Sequence, residues 1–73
     1  ATQIFLYGEI GDRAAGLDAK TVIDQVRSAT GDLTVFINST GGFVFDGLPI
    51  YEALRAYTGG QVVVQIDGFA LSM

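Results

Sequence analysis

The residues best suited to chemistry in this sequence form a glycine-rich turn near its middle, Thr40-Gly41-Gly42. The turn follows Leu33–Ile37, a short apolar run of β-branched and aromatic residues that is typical of a core strand. Glycine tolerates positive φ and leaves the backbone N–H uncovered, so Gly41 and Gly42 could present donors to a ligand or a developing anion. A plain turn between a strand and a helix would use the same residues, and both interpretations stay open on the pattern alone.

The other side chains offer little for acid–base or metal chemistry. The sequence contains no His and no Cys, which removes the usual ligands of a structural zinc site, and neither a metal nor a cofactor is expected. Lys20 is the only lysine and lies far in sequence from the glycine turn. Asp46 precedes or begins a predicted helix, where a capping role is favoured over catalysis. Asp67 is interpreted as the end of a strand.

Three strands and two helices are predicted around the turn. The strands are Thr2–Tyr7, Leu33–Ile37 and Gln61–Asp67. The first helix has Asp18 as its N-cap and Gly31 as its C-cap glycine. Its apolar face consists of Ala19, Val22, Ile23, Val26 and Ala29.

The second helix has a less regular apolar pattern and contains the only proline, Pro49. Because proline is best tolerated in the first turn, either the regular helix starts near Leu48 or its first turn is irregular. The helix is expected to end before Gly59-Gly60. The residues predicted to give its helical period are Val44, Leu48, Tyr51, Leu54 or Arg55, and Tyr57 or Thr58.

Strands that alternate with helices predict an α/β fold with a mainly parallel sheet covered by helices. Ligands bind such sheets at the carboxyl ends of the strands. The Thr40-Gly41-Gly42 turn, Asp67-Gly68 and Ser72 are all expected at that edge.

Composition limits the classes of protein to which the chain can belong. A domain of 73 residues buries only roughly 60% of its unfolded surface. With 49% hydrophobic and 16% charged residues, it is expected to oligomerise or to form part of a larger protein. The net charge of -4 argues against a nucleic-acid partner. Without a long apolar run or a signal-like N-terminus, a soluble cytoplasmic protein is expected.

Five stretches of the sequence resemble the Clp-type serine peptidases, and most closely the phage and prophage branch of head maturation or prohead proteases. The resemblance covers nearly the whole chain and rests on two linked motifs at family spacing. The stretches are Phe5-Leu6-Tyr7-Gly8, Ile37-Asn38-Ser39-Thr40-Gly41-Gly42, Asp46-Gly47-Leu48, Ile50-Tyr51 and Asp67-Gly68-Phe69-Ala70-Leu71-Ser72-Met73. The sequence departs from the family signature Asn-Ser-Pro-Gly-Gly at Thr40, where Pro is usual, and has Phe43 where a small or polar residue is common.

The resemblance implies a peptidase site with Ser72 as nucleophile and the backbone N–H groups of Gly42 and Met73 as the oxyanion hole. It also implies that Gly41, Gly42 and Phe43 contact the substrate. Ser72 would begin a helix that follows a strand, where the hydroxyl is exposed and the next amide can face the oxyanion. The family's His and Asp follow the serine, so residues 1–73 are expected to be the N-terminal part of one peptidase domain and to be inactive alone.

The resemblance further implies a polypeptide substrate, a homo-oligomer of stacked rings, and an ATP-dependent unfoldase or phage capsid proteins as possible partners. Two other classes remain open. Crotonase-like enoyl-CoA hydratases and isomerases share the spiral of β-α units, and hold a thioester oxyanion with two backbone N–H groups without needing Ser72. A non-catalytic oligomerisation fragment would use the apolar surface as an interface.

Overall fold

The computed structural model of the chain describes residues 1–38, 44–66 and 69–72. The elements in chain order are β1 (Thr2–Tyr7), α1 (Ala19–Ser28), β2 (Leu33–Asn38), α2 (Val44–Ala56), β3 (Val62–Ile66) and β4 (Phe69–Ser72). Strands β1, β2 and β3 are parallel neighbours, and β4 pairs antiparallel with β3, giving the sheet order β1-β2-β3-β4. The predicted α/β fold with a mainly parallel sheet is confirmed.

Alternation along the strands decides which face of the sheet is buried. In β1, Ile4 and Leu6 are buried, whereas the alternating residues Phe5 and Tyr7 are exposed. Both helices cover the inner face, because their apolar side chains join those of the strands in one core. The buried members of that core are Ile4, Leu6, Leu17, Val22, Val26, Leu33, Val35, Ile50, Leu54, Val62 and Val64.

Helix α1 starts where the sequence predicts and ends earlier than predicted. Asp18 is the N-cap, and its carboxylate accepts hydrogen bonds from the Thr21 backbone N–H at 3.3 Å and from the Thr21 hydroxyl at 2.9 Å. The C-cap is Ala29 in an extended conformation, so the assignment of Gly31 as the C-cap glycine is wrong. Gly31 does adopt positive φ, at 69°, but it does so in the connection to β2.

Helix α2 begins at Val44 and carries Pro49 in its second turn. Its buried face differs from the predicted one, since Ile50 and Leu54 are buried while Leu48 is 57% exposed. Tyr51, also part of the predicted helical period, is 46% exposed. The helix is apolar on several sides, so its sequence period alone does not select the face that meets the sheet.

The last described element is a strand, where the sequence had suggested a turn leading into a helix. β4 pairs with β3 in antiparallel register from Ile66 opposite Phe69 to Val63 opposite Ser72. Residues 69–71 are apolar, and an Asp-Gly pair between two apolar runs is a strong hairpin signal. The expectation that Ser72 begins a helix is therefore wrong in this structure.

Candidate active site

The carboxyl edge of the parallel sheet brings the ends of three strands together. Ile37 of β2 lies beside Ile66 of β3, and Asn38 at the end of β2 lies beside Tyr7 at the end of β1. β2 and β3 therefore end at neighbouring positions. This juxtaposition is what a ligand site at the edge of an open α/β sheet requires.

The end of β1 is fixed to this edge by the backbone. The Gly8 N–H donates a hydrogen bond to the carbonyl oxygen of Asn38 at 3.1 Å. Gly8 has φ of 124°, and a Cβ there would lie 3.2 Å from Leu17 Cδ1. A side chain at this position would thus be strained, because L-residues rarely adopt that φ.

A groove of about 760 Å³ runs along α2 beside the inner face of the sheet. Its lining residues are mostly aliphatic, and those with polar side-chain groups are Tyr51, Arg55 and Tyr57. The guanidinium carbon of Arg55 lies 5.9 Å from the centre of the Tyr51 ring, a cation–π distance. Such a groove suits an apolar side chain better than a charged group. It is lined by Leu6, Ile10, Ile37, Gly47, Ile50, Tyr51, Leu54, Arg55, Tyr57, Gly60, Val62, Val64 and Ile66.

Four of the five residues proposed from the sequence for the site, namely Gly41, Gly42, Phe43 and Met73, lie outside the described residues. The fifth is Ser72, and the described part of this residue is its backbone, which lies opposite Val63 in β4.

Ser72 does not lie at the carboxyl edge, contrary to the expectation from the sequence. β4 runs back along β3, so Ser72 is displaced by the three residues that separate Val63 from Ile66. At ~3.3 Å per residue this displacement amounts to ~10 Å. The structure therefore does not bring Ser72 next to the end of β2.

Lys20 is unsuited to act as a general base. Its Nζ lies 2.9 Å from Asp24 Oδ2, four residues along the exposed face of α1. The hydrogen bond that Lys20 donates to the Asp24 carboxylate, together with the negative charge of that carboxylate, raises the pKa of Lys20, so the amine holds its proton more firmly. Among the described residues, no group of three or more acidic side chains is arranged to hold a metal ion.

The outer face of the sheet carries an aromatic cluster that was not predicted from the sequence. We define the outer aromatic cluster as Phe5, Tyr7 and Phe36. The Phe5 and Phe36 rings stack with centroids 4.9 Å apart, and Phe5 meets Tyr7 edge-on at 5.8 Å. Phe5 and Tyr7 are 54% and 58% exposed. The signal was present in the alternation of β1, whose odd-numbered positions hold two aromatics.

Within the described residues, no helix is long and apolar enough to span a membrane.

Three comparisons with known proteins bear on this arrangement. The model of one protein family, described as Clp protease, matches residues 1–73. The ATP-dependent Clp protease proteolytic subunit 3 of Rhodococcus jostii (strain RHA1) is 37% identical over 71 residues, which cover 96% of this chain and 35% of that protein. The structure of a ClpP1 mutant from Listeria monocytogenes matches with a TM-score of 0.64 and 28% identity, covering 89% of this chain and 37% of that one. The chain therefore spans about a third of the length of these relatives.

Proposed function

This chain belongs to the Clp protease family, and from that premise we propose that it forms the N-terminal part of the single catalytic domain of a serine endopeptidase. The observation that carries the proposal is the family match over residues 1–73. The parallel sheet supports it, because two of its neighbouring strands end where the linked motifs begin. The match favours a peptidase over the crotonase-like alternative.

The proposed reaction is hydrolysis of a peptide bond through an acyl-enzyme. The Ser72 oxygen attacks the carbonyl carbon as a base removes the hydroxyl proton, and the same proton goes to the leaving amine. The N–H groups of Gly42 and Met73 stabilise the oxyanion. Water then attacks the ester and regenerates the serine. The base is supplied by a residue outside these 73, since they contain no His and Lys20 is paired on α1.

The proposed substrate is a polypeptide in extended form. Gly41, Gly42 and Phe43 would contact its backbone beside the carboxyl edge. The aliphatic groove along α2 is a suitable place for an apolar substrate side chain, because its lining residues include Ile37 and Ile66 at that edge.

The full-length protein is proposed to act as a homo-oligomer in the cytoplasm. Exposed apolar clusters on soluble proteins commonly mark contacts with other chains, and the outer aromatic cluster is such a surface. The name of the Rhodococcus relative describes an ATP-dependent protease, which supports an ATP-hydrolysing unfoldase as partner. The resemblance of the linked motifs to the phage and prophage branch supports the more specific proposal of a phage head maturation protease acting on capsid proteins, although Thr40 and Phe43 depart from the family signature.

The test is active-site labelling of the full-length protein with a fluorophosphonate, which reacts with activated serines. We expect labelling of the wild type and none of Ser72→Ala. Ser28→Ala is the matched control, because Ser28 lies on α1 and its hydroxyl donates to the Asp24 carbonyl oxygen at 2.9 Å. Equal labelling of the wild type and Ser72→Ala would refute the assignment of the nucleophile. The isolated 73-residue chain should remain unlabelled because it lacks the base.

A further inference from the structure

We draw no further inference here: the strongest candidate, the outer aromatic cluster on the outer face of the sheet, belongs to the oligomer contact proposed above, and nothing in the described part of the structure shows which surface covers it.

Discussion

Gly60, in the connection between α2 and β3, is a position where one added methyl group should be disruptive, because it would meet backbone atoms. A Cβ built there would lie 2.6 Å from Asp32 Oδ1 and 2.8 Å from both the carbonyl carbon and the oxygen of Gly31. The Asp32 carboxylate could rotate away, but the Gly31 backbone could not without a shift of the chain that leads into β2. Gly60→Ala is therefore expected to displace the start of both central strands.

The expected loss of stability follows from the hydrogen bonds that Asp32 and Gly31 accept. Asp32 Oδ1 accepts a hydrogen bond from the Gln61 N–H at 3.0 Å, and the Gly31 carbonyl oxygen accepts one from the Tyr57 hydroxyl. Overpacking costs about 1–3 kcal/mol and a lost hydrogen bond about 1 kcal/mol, so we expect Gly60→Ala to destabilise the fold by about 2–4 kcal/mol. In a protein of 150–250 residues each 1 kcal/mol lowers Tm by roughly 2–4 °C.

Gly47→Ala provides the matched control, because a Cβ at Gly47 would meet no atom within 4 Å. Gly47 lies inside α2, where alanine is favoured over glycine by about 1 kcal/mol. Thermal unfolding of the full-length variants should therefore give a lower Tm for Gly60→Ala and an unchanged or slightly higher Tm for Gly47→Ala. Equal Tm values for the two variants would refute the packing described for the Gly60 connection.

Three further predictions concern the site, the helix cap and the outer face. Gly42→Ala should slow fluorophosphonate labelling of the full-length protein by ~10²-fold, the effect of losing one oxyanion donor. An unchanged labelling rate would show that Gly41 and Gly42 form only a turn and do not bind the oxyanion. The hydrogen bond donated by the Thr21 side chain lowers the pKa of Asp18 below 3.8. The ionised Asp18 cap therefore stabilises the fold above pH 3.8, and this stabilisation is lost as the pH falls through the folded-state pKa of Asp18. Asp18→Asn, which cannot titrate, should show a weaker loss of Tm in acid, and an identical acid profile would contradict this. Phe5→Asp should shift the oligomer to smaller species in sedimentation, whereas Gln25→Asp, at an exposed position of α1, should not. An unchanged distribution of species for Phe5→Asp would exclude the outer aromatic cluster as a contact between subunits.

The parallel part of the fold was predictable because its signals agree with one another. In β1 and β2 the alternation of apolar residues matches the face that is buried, as at Ile4, Leu6 and Val35. In α1 the cap at Asp18 and the spacing of Val22 and Val26 indicate the same start and the same inner face. Agreement among local signals of this kind is what makes a sequence specify one structure.

Helix α2 shows why its inner face could not be predicted with equal success. Leu48, Ile50, Tyr51 and Leu54 surround much of the helix, so more than one face could pack against the sheet. The structure buries Ile50 and Leu54 and leaves Leu48 exposed. Tertiary contact with the strands makes this choice, and a helical period in the sequence contains no information about which strands are present.

Ser72 illustrates a different conflict, between a local signal and the needs of a site. The residues around it favour a hairpin, because an Asp-Gly pair separates two apolar runs and Ile66 pairs with Phe69. The resemblance to the peptidases requires the same serine beside the end of β2. Natural sequences satisfy local and global preferences together except where function opposes them, so a site residue is where such a conflict is expected.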